Sequence, residues 1–250
     1  MVLTARHWAA IVAITATLSP ICVGPALSQE QNPACNHDAM IVFDASGSMG
    51  GTDMNSVTPR IGKVRKALAQ VLPEVAPIRP IGLTVYGPGY GNNCDSVELR
   101  LKPVLDATET IMAEVTALVP AGRTPLTAGV KLAADALAYR DKPATIILIT
   151  DGEETCGGNP CGVAAQLKRE AKDLTIHVIG YKDPLAAGGA FGSRCMADAT
   201  GGQYTAVETT DELIAALRKT LGCPFLTERR APLEPPIKLA AQCFAQTLNE

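Results

Sequence analysis

Ile41-Val42-Phe43-Asp44-Ala45-Ser46-Gly47-Ser48-Met49-Gly50 is a short apolar run that ends in an acid, with two hydroxyls following at alternate residues. The run Ala39 to Phe43 is too uniformly apolar for a half-exposed sheet edge and fits a central parallel strand covered on both faces. After it, Asp44, Ser46 and Ser48 can point to one side of an extended turn. A carboxylate and two hydroxyls on one side form an oxygen-rich hollow of the kind that holds a hard cation. Two later stretches read as further sides of the same hollow. They are Gly122-Arg123-Thr124-Pro125-Leu126-Thr127 and Ile146-Ile147-Leu148-Ile149-Thr150-Asp151-Gly152.

Working outward, strand and helix patterns alternate. Arg60 to Val75 has apolar residues at helical spacing, with Lys63, Arg65 and Lys66 opposite them. Pro80 to Tyr86 reads as a strand. Beyond a Gly/Asn-rich turn, Val97 to Leu101 alternates apolar and polar residues, which suits an antiparallel edge strand. Helices follow over Asp106–Leu118, with Asp106 as N-cap, and over Thr124–Tyr139, with Thr124 as N-cap and Pro125 in the first turn. Thr145–Thr150 is a second fully apolar strand. Then come a helix at Val163–Asp173, a strand at Leu174–Tyr181, a helix at Arg194–Thr200, a strand at Gln203–Val207 and a helix at Thr210–Leu221, capped by Thr210 or Asp211. The expected fold class is α/β: a doubly wound, mostly parallel central sheet with one antiparallel edge strand and helices on both faces. Such sheets bind ligands beyond the carboxyl ends of their strands, where Asp44 and Asp151 both fall.

The ends of the chain read differently from its middle. Arg6 precedes an apolar run from Trp8 to Leu18, Pro20 and Gly24 break it, and Ala26-Leu27-Ser28 places small residues before Gln29. Residues 1–28 are therefore expected to be a signal peptide cleaved before Gln29, giving a periplasmic or secreted protein without a membrane span. The run is too short to cross a bilayer comfortably, and Ser19-Pro20-Ile21 ahead of Cys22 is a poor lipoprotein signal. Residues 29–37 form a linker, 38–223 the domain, and 224–250 a proline-rich tail expected to be flexible. The formal net charge is -3 and no basic stripe is present, which argues against a nucleic-acid partner.

Of eight cysteines, Cys22 lies in the leader and seven remain as disulfide candidates in an exported chain. Cys156 and Cys161 are close in sequence and are expected to close a small local loop. Cys35 and Cys223 flank the domain, and a bridge between them would tie its ends together. Cys94, Cys195 and Cys243 are unassigned. Zinc at Cys156 and Cys161 lacks a second close Cys/His pair.

The candidate metal ligands are Asp44, Ser46, Ser48, Thr124 and Asp151. Two carboxylates and three hydroxyls offer oxygen only, which favours Mg²⁺, with Mn²⁺ or Ca²⁺ as alternatives, over zinc or copper. Asp44 and Asp151 can bind directly or through water. Each piece also has a plain reading: Asp at a strand end as a turn residue, Ser-Gly-Ser as loop, Thr124 as a cap, Asp151-Gly152 as a tight turn.

Taken together, Asp44-x-Ser46-x-Ser48, Gly122-x-Thr124-Pro125-Leu126 and Thr150-Asp151-Gly152 resemble the metal-ion-dependent adhesion site of von Willebrand factor type A domains. The resemblance covers about Asp38 to Leu221, matches all five site positions, and looks like the family's bacterial secreted members. It implies a non-enzymatic module that binds a protein partner through the metal, with the partner's carboxylate completing the coordination. Asp53, Asp95, Glu153 and Glu154 would form an acidic collar around it, or be ordinary solvated charge. Two other functions fit less well. One is a structural subunit of an envelope complex with a stabilising metal. The other is a Mg²⁺-dependent phosphohydrolase, which would want a second Asp where Ser46 stands, and a base. His37 and His177 are poorly placed to serve as that base.

Overall fold

A computed structural model describes residues 37–52, 57–89, 93–181 and 192–222. Its framework is a six-stranded sheet built from β1 (Ala39–Asp44), β2 (Ile81–Tyr86), β3 (Val97–Val104), β4 (Ala144–Thr150), β5 (Leu174–Tyr181) and β6 (Tyr204–Val207), in the order β3-β2-β1-β4-β5-β6. All neighbours pair in parallel except β2 and β3. The strands' sequences explain their places. Every residue of β1, β2 and β4 is buried, as expected of parallel strands covered on both faces, whereas β3 alternates half-buried and exposed residues along its length.

Period-2 alternation sends the side chains of β1 into two cores. Ala39, Ile41 and Phe43 pack with α1 (Arg60–Val75), α2 (Thr108–Ala117) and α6 (Thr210–Leu221). Met40 and Val42 pack with α3 (Leu126–Ala136), α4 (Pro160–Glu170) and α5 (Arg194–Thr200) on the opposite face. The chain moves outward from β1 to β2 and β3, then returns to the other side of β1 to lay down β4. This puts the reversal of strand order between β1 and β4, and the connections that leave these two strands diverge to opposite faces.

Several helix ends depart from the sequence reading. Asp106 does not cap α2. It adopts a left-handed conformation (φ 54°) and donates its N–H to the Ala76 carbonyl, so the helix begins later, behind Ala107. Helix α3 starts behind Pro125, which has no side chain able to cap it, and stops at Ala136 rather than running to Tyr139. Ala138 then takes φ 51°, which turns the chain out of the helix. The cap of α6 is Thr209, not Thr210 or Asp211. Its hydroxyl accepts from the Glu212 N–H while Glu212 reaches back to the Thr209 N–H, a reciprocal capping box.

One buried cation fastens the domain's two described ends. Arg79 lies almost fully inside and donates through Nε to the His37 carbonyl (3.0 Å) and through Nη1 to the Leu221 carbonyl (3.1 Å). It thus satisfies a carbonyl at the end of α6 that would otherwise lack a partner. Burial pulls its pKa down to about 10.

His177, within β5, is also displaced from its ordinary value of 6.5. Burial, with Arg79 and Lys219 nearby, lowers it to about 4, and its Nδ1 accepts from the Gln203 N–H at 3.1 Å. The folded state therefore holds this imidazole neutral, whereas the unfolded chain protonates it near pH 6.5. Its contribution to stability is complete above pH 6.5 and is lost as the pH falls from there through 4. Discounted for partial exposure, the loss should reach about 2 kcal/mol. Denaturant titrations at pH 7 and pH 4 should show that decrement in the native protein and a smaller one in His177→Gln.

Candidate metal centre

The strand-order reversal gathers the candidate residues at one edge. Asp44 closes β1 with no exposed surface, and Asp151 directly follows β4. Beyond Asp44 the chain turns through a short 3₁₀ segment, Gly47–Gly50, which brings Ser46 and Ser48 back over the strand end. Asp44 Oδ1 accepts from the Ser46 N–H at 2.8 Å, and Oδ2 accepts from the Thr150 hydroxyl at 2.7 Å. The Ser46 and Ser48 hydroxyl oxygens lie 3.0 Å apart, and Ser48 donates to Asp151 Oδ1 at 2.6 Å. Four of the five candidates are thus joined in sequence, Asp44 to Ser46 through the Ser46 N–H and Ser46 to Ser48 to Asp151 through side-chain oxygens. Ser46 is buried, and Ser48 is exposed and opens the cluster to solvent.

Thr124 reaches the same edge by a different route. Ser46 forms a parallel bridge with Gly122, the Gly47 N–H donates to the Gly122 carbonyl (2.9 Å), and the Gly122 N–H donates to Gly87 (3.0 Å). The close approach requires glycine at 87. Its φ is +72°, and a Cβ there would meet the Arg123 carbonyl at 2.5 Å and Ser46 Cα at 2.8 Å. Thr124 is buried, and its backbone is paired with Thr155 in both directions: Thr124 N–H to Thr155 Oγ1 (2.8 Å) and Thr155 N–H to the Thr124 carbonyl (3.1 Å). Its hydroxyl does not cap α3, because Pro125 holds the cap position. Among the described residues, no hydrogen bond joins that hydroxyl to the other four candidates.

The start of α3 is capped from outside the helix. Glu154 Oε2 accepts from the Thr127 N–H and the Thr127 hydroxyl, both at 2.8 Å, and Oε1 accepts from the Cys156 N–H at 2.7 Å. Glu154 is therefore a brace between the β4–α4 loop and α3 rather than a free member of an acidic collar. Glu153 is half-buried and Asp95 exposed, and Asp53 lies outside the described residues.

The cysteines correct the sequence reading. Cys156 and Cys161 do not pair with each other. Cys156 pairs with Cys94, from the β2–β3 connection, and Cys161 pairs with Cys195 on α5. The reason is the helix that begins between them: Asn159 caps α4 and Pro160 opens it, so Cys161 rides on a helix packed against α5 while Cys156 stays in the loop. Both cysteines being engaged, the zinc reading of this pair falls too. Cys35, Cys223 and Cys243, the leader (1–28), most of the linker (29–36) and the tail (224–250) lie outside the described residues.

Electrostatics make the cluster receptive to a cation. Burial, and then the neighbouring Asp151 carboxylate, push Asp44 up to about 6, although the hydrogen bonds from Ser46 and Thr150 pull the other way. A cation at this edge would relieve that burden. The donor set is oxygen throughout, and among the described residues no three His, Cys, Asp or Glu side chains come together. The residues present thus fit a hard divalent ion better than a thiolate- or imidazole-seeking one. Arg60, at the start of α1, supplies positive charge: its Nη1 lies 2.7 Å from Asp151 Oδ2. The sequence assigned no role to Arg60 or Thr150, and it suggested for Glu154 a place in an acidic collar rather than a brace. Thr150 stood inside the quoted Thr-Asp-Gly stretch, but nothing in its spacing says that it faces Asp44 on the adjacent strand.

Residues 39–154 match the von Willebrand factor type A domain model, and all five candidates fall inside that span. The sheet and helices have the von Willebrand factor type A fold. An uncharacterized protein of Bacillus subtilis (strain 168), YwmD, is 34% identical over 79 residues, which is 32% of this chain. The match spans about a third of that relative's length (34%). An aerotolerance-related membrane protein from Bacteroides fragilis shares the fold at 16% identity and TM-score 0.56, with 74% of this chain and 98% of that one covered. The pilus adhesin SpaC of Lactobacillus rhamnosus GG aligns at 16% identity and TM-score 0.58, over 76% of this chain and 30% of that one. Proximal thread matrix protein 1 of the mussel byssus, solved with a zinc-occupied metal-ion-dependent adhesion site, aligns at 18% identity and TM-score 0.54, over 76% of this chain and 46% of that one. At these identities the structural likenesses speak for the type A fold alone.

Replacing Glu154 by Ala in this domain removes three hydrogen bonds that hold the β4–α4 loop to α3. The expected loss is about 2 kcal/mol of stability, measurable by urea denaturation, with faster amide exchange at Thr127 and Cys156.

Proposed function

We propose that this chain is an exported, non-enzymatic interaction module that grips an acidic side chain of a partner protein with the help of a divalent cation held at Asp44, Ser46, Ser48, Thr124 and Asp151. The observation that carries the reading is the hydrogen-bonded cluster of Asp44, Ser46, Ser48 and Asp151, linked through the Ser46 N–H and the two serine hydroxyls, buried at Asp44 and open to solvent at Ser48. Mg²⁺ suits this donor set best, with Mn²⁺ or Ca²⁺ as substitutes. Bound there, the ion would supply a Lewis-acidic position for an outside carboxylate. The chain's own contribution is preorganisation. The Ser46 N–H and the Thr150 hydroxyl orient Asp44, Ser48 orients Asp151, and the Gly122 bridge carries Thr124 to the same edge. The largely neutral donors would leave much of the ion's charge available to a partner.

Support for binding rather than catalysis comes from the surrounding chemistry. His177 is committed to Gln203, and Ser46 stands where an aspartyl phosphatase would want a second acid. The adhesin and the zinc-loaded byssus protein that share the fold favour the same reading. Export is supported by the two disulfides, which suit an oxidising compartment. Among the described residues, no helix is long and apolar enough to cross a membrane. The proposed organisation is a signal peptide at 1–28, a linker at 29–37, the binding domain at 38–223 and a proline-rich tail at 224–250.

Calorimetric titration of the metal-stripped protein with Mg²⁺ or Mn²⁺ should give one site that Asp44→Ala abolishes. Immobilised protein should retain an envelope partner only with metal present and with Asp44 intact. Partner retention that survives both EDTA and Asp44→Ala would rule out the metal-bridged mechanism.

A further inference from the structure

The five candidate ligands carry two carboxylates, and the geometry around them includes one fixed positive charge. Arg60 sits in the first turn of α1, and its Nη1 lies 2.7 Å from Asp151 Oδ2, while Ser48 occupies Oδ1 of the same carboxylate at 2.6 Å. The Asp151 side chain is wholly shielded from solvent, whereas that of Arg60 is 25% exposed. Arg60 therefore approaches a buried anion from the solvent side and pairs with it directly. A buried carboxylate left without a partner is strongly unfavourable, and here a second, fully buried carboxylate, Asp44, lies close enough to raise that burden.

Resting on the metal-site reading above, we infer that Arg60 is the tethered counter-cation of the metal-free site, sharing Asp151 with the divalent ion and setting how tightly that ion binds. Its guanidinium cannot lose its proton under ordinary conditions, so its charge is present whether or not metal has arrived. Before loading, it holds Asp151 in position against Ser48 and offsets the repulsion between the two carboxylates. After loading, the same charge stands next to the ion and opposes it. A unit charge about 6 Å from a divalent cation, screened as in water, changes that cation's binding about tenfold. The arrangement weakens metal binding and in exchange lets the domain fold with its site assembled before metal is available. Arg60 is thus a positioning residue whose effect on stability and on metal affinity should have opposite signs. A purely structural arginine would move both the same way.

The test uses the full exported chain, stripped with EDTA and titrated with Mn²⁺ alone, read by calorimetry and by melting temperature with and without Mn²⁺. Arg60→Gln should bind Mn²⁺ about tenfold more tightly than wild type, melt at a lower temperature without metal, and gain more on adding it. Arg60→Lys, which keeps the charge, should bind Mn²⁺ within about twofold of wild type. Should Arg60→Gln fail to fold without metal, Mn²⁺ should restore it, and failure to do so overturns the inference. Equal or weaker Mn²⁺ binding by a folded Arg60→Gln, beside a wild type that binds, overturns the role of Arg60 and leaves the metal site standing. A wild type that binds no Mn²⁺ overturns both.

Discussion

A fully buried carboxylate at the end of the central strand is the constraint on which the rest of the site depends. Asp44 has no exposed surface, and its two oxygens are met by the Ser46 N–H and the Thr150 hydroxyl. Those contacts need the chain to turn back over the strand end immediately after Asp44, and they need β4 to lie beside β1. Burial still leaves Asp44 with a raised pKa, so the fold carries an electrostatic burden at its centre. Perturbed carboxylates cluster at functional sites, and the proposed cation would relieve this one.

The edge that holds the site is braced by covalent and ionic ties between loops that would otherwise be independent. Cys94–Cys156 links the β2–β3 connection to the loop after β4, and Cys161–Cys195 links α4 to α5. Glu154 joins the loop after β4 to the start of α3, and Thr155 joins it to Thr124. Four separate stretches of chain thus converge on one edge and are fastened there. Such fastening is what the proposed ligand set, drawn from distant parts of the sequence, would need, since a functional constellation must be held to within about 0.5 Å by its supporting residues. Arg60 adds an electrostatic tie from α1 to the same edge.

Much of this was legible before the structure because the relevant signals are local. The apolar runs of β1 and β4 announce strands covered on both faces, and the alternation in Val97–Leu101 announces an exposed edge. Where the expectations failed, a contact distant in sequence had displaced a local preference. Asp106 looked like a cap but gave its N–H to Ala76. Thr124 looked like the cap of α3, but Glu154, 30 residues later, took up the Thr127 N–H. The neighbouring Cys156 and Cys161 looked like partners, but a helix start between them turned them toward different elements.

The sequence by itself determined the alternation of strands and helices, the central place of the two apolar strands, and which oxygens are available at their ends. These follow from periodicity and from residue chemistry, which act over a few positions. Only the tertiary structure decided that Thr150 supports Asp44, that Arg60 neutralises Asp151, that Glu154 is a brace rather than a collar, and how four of the cysteines pair. Each of these is a meeting between residues tens of positions apart, or across two strands whose pairing is not written in either. The outcome depends on strand order and helix packing, and no local pattern encodes it.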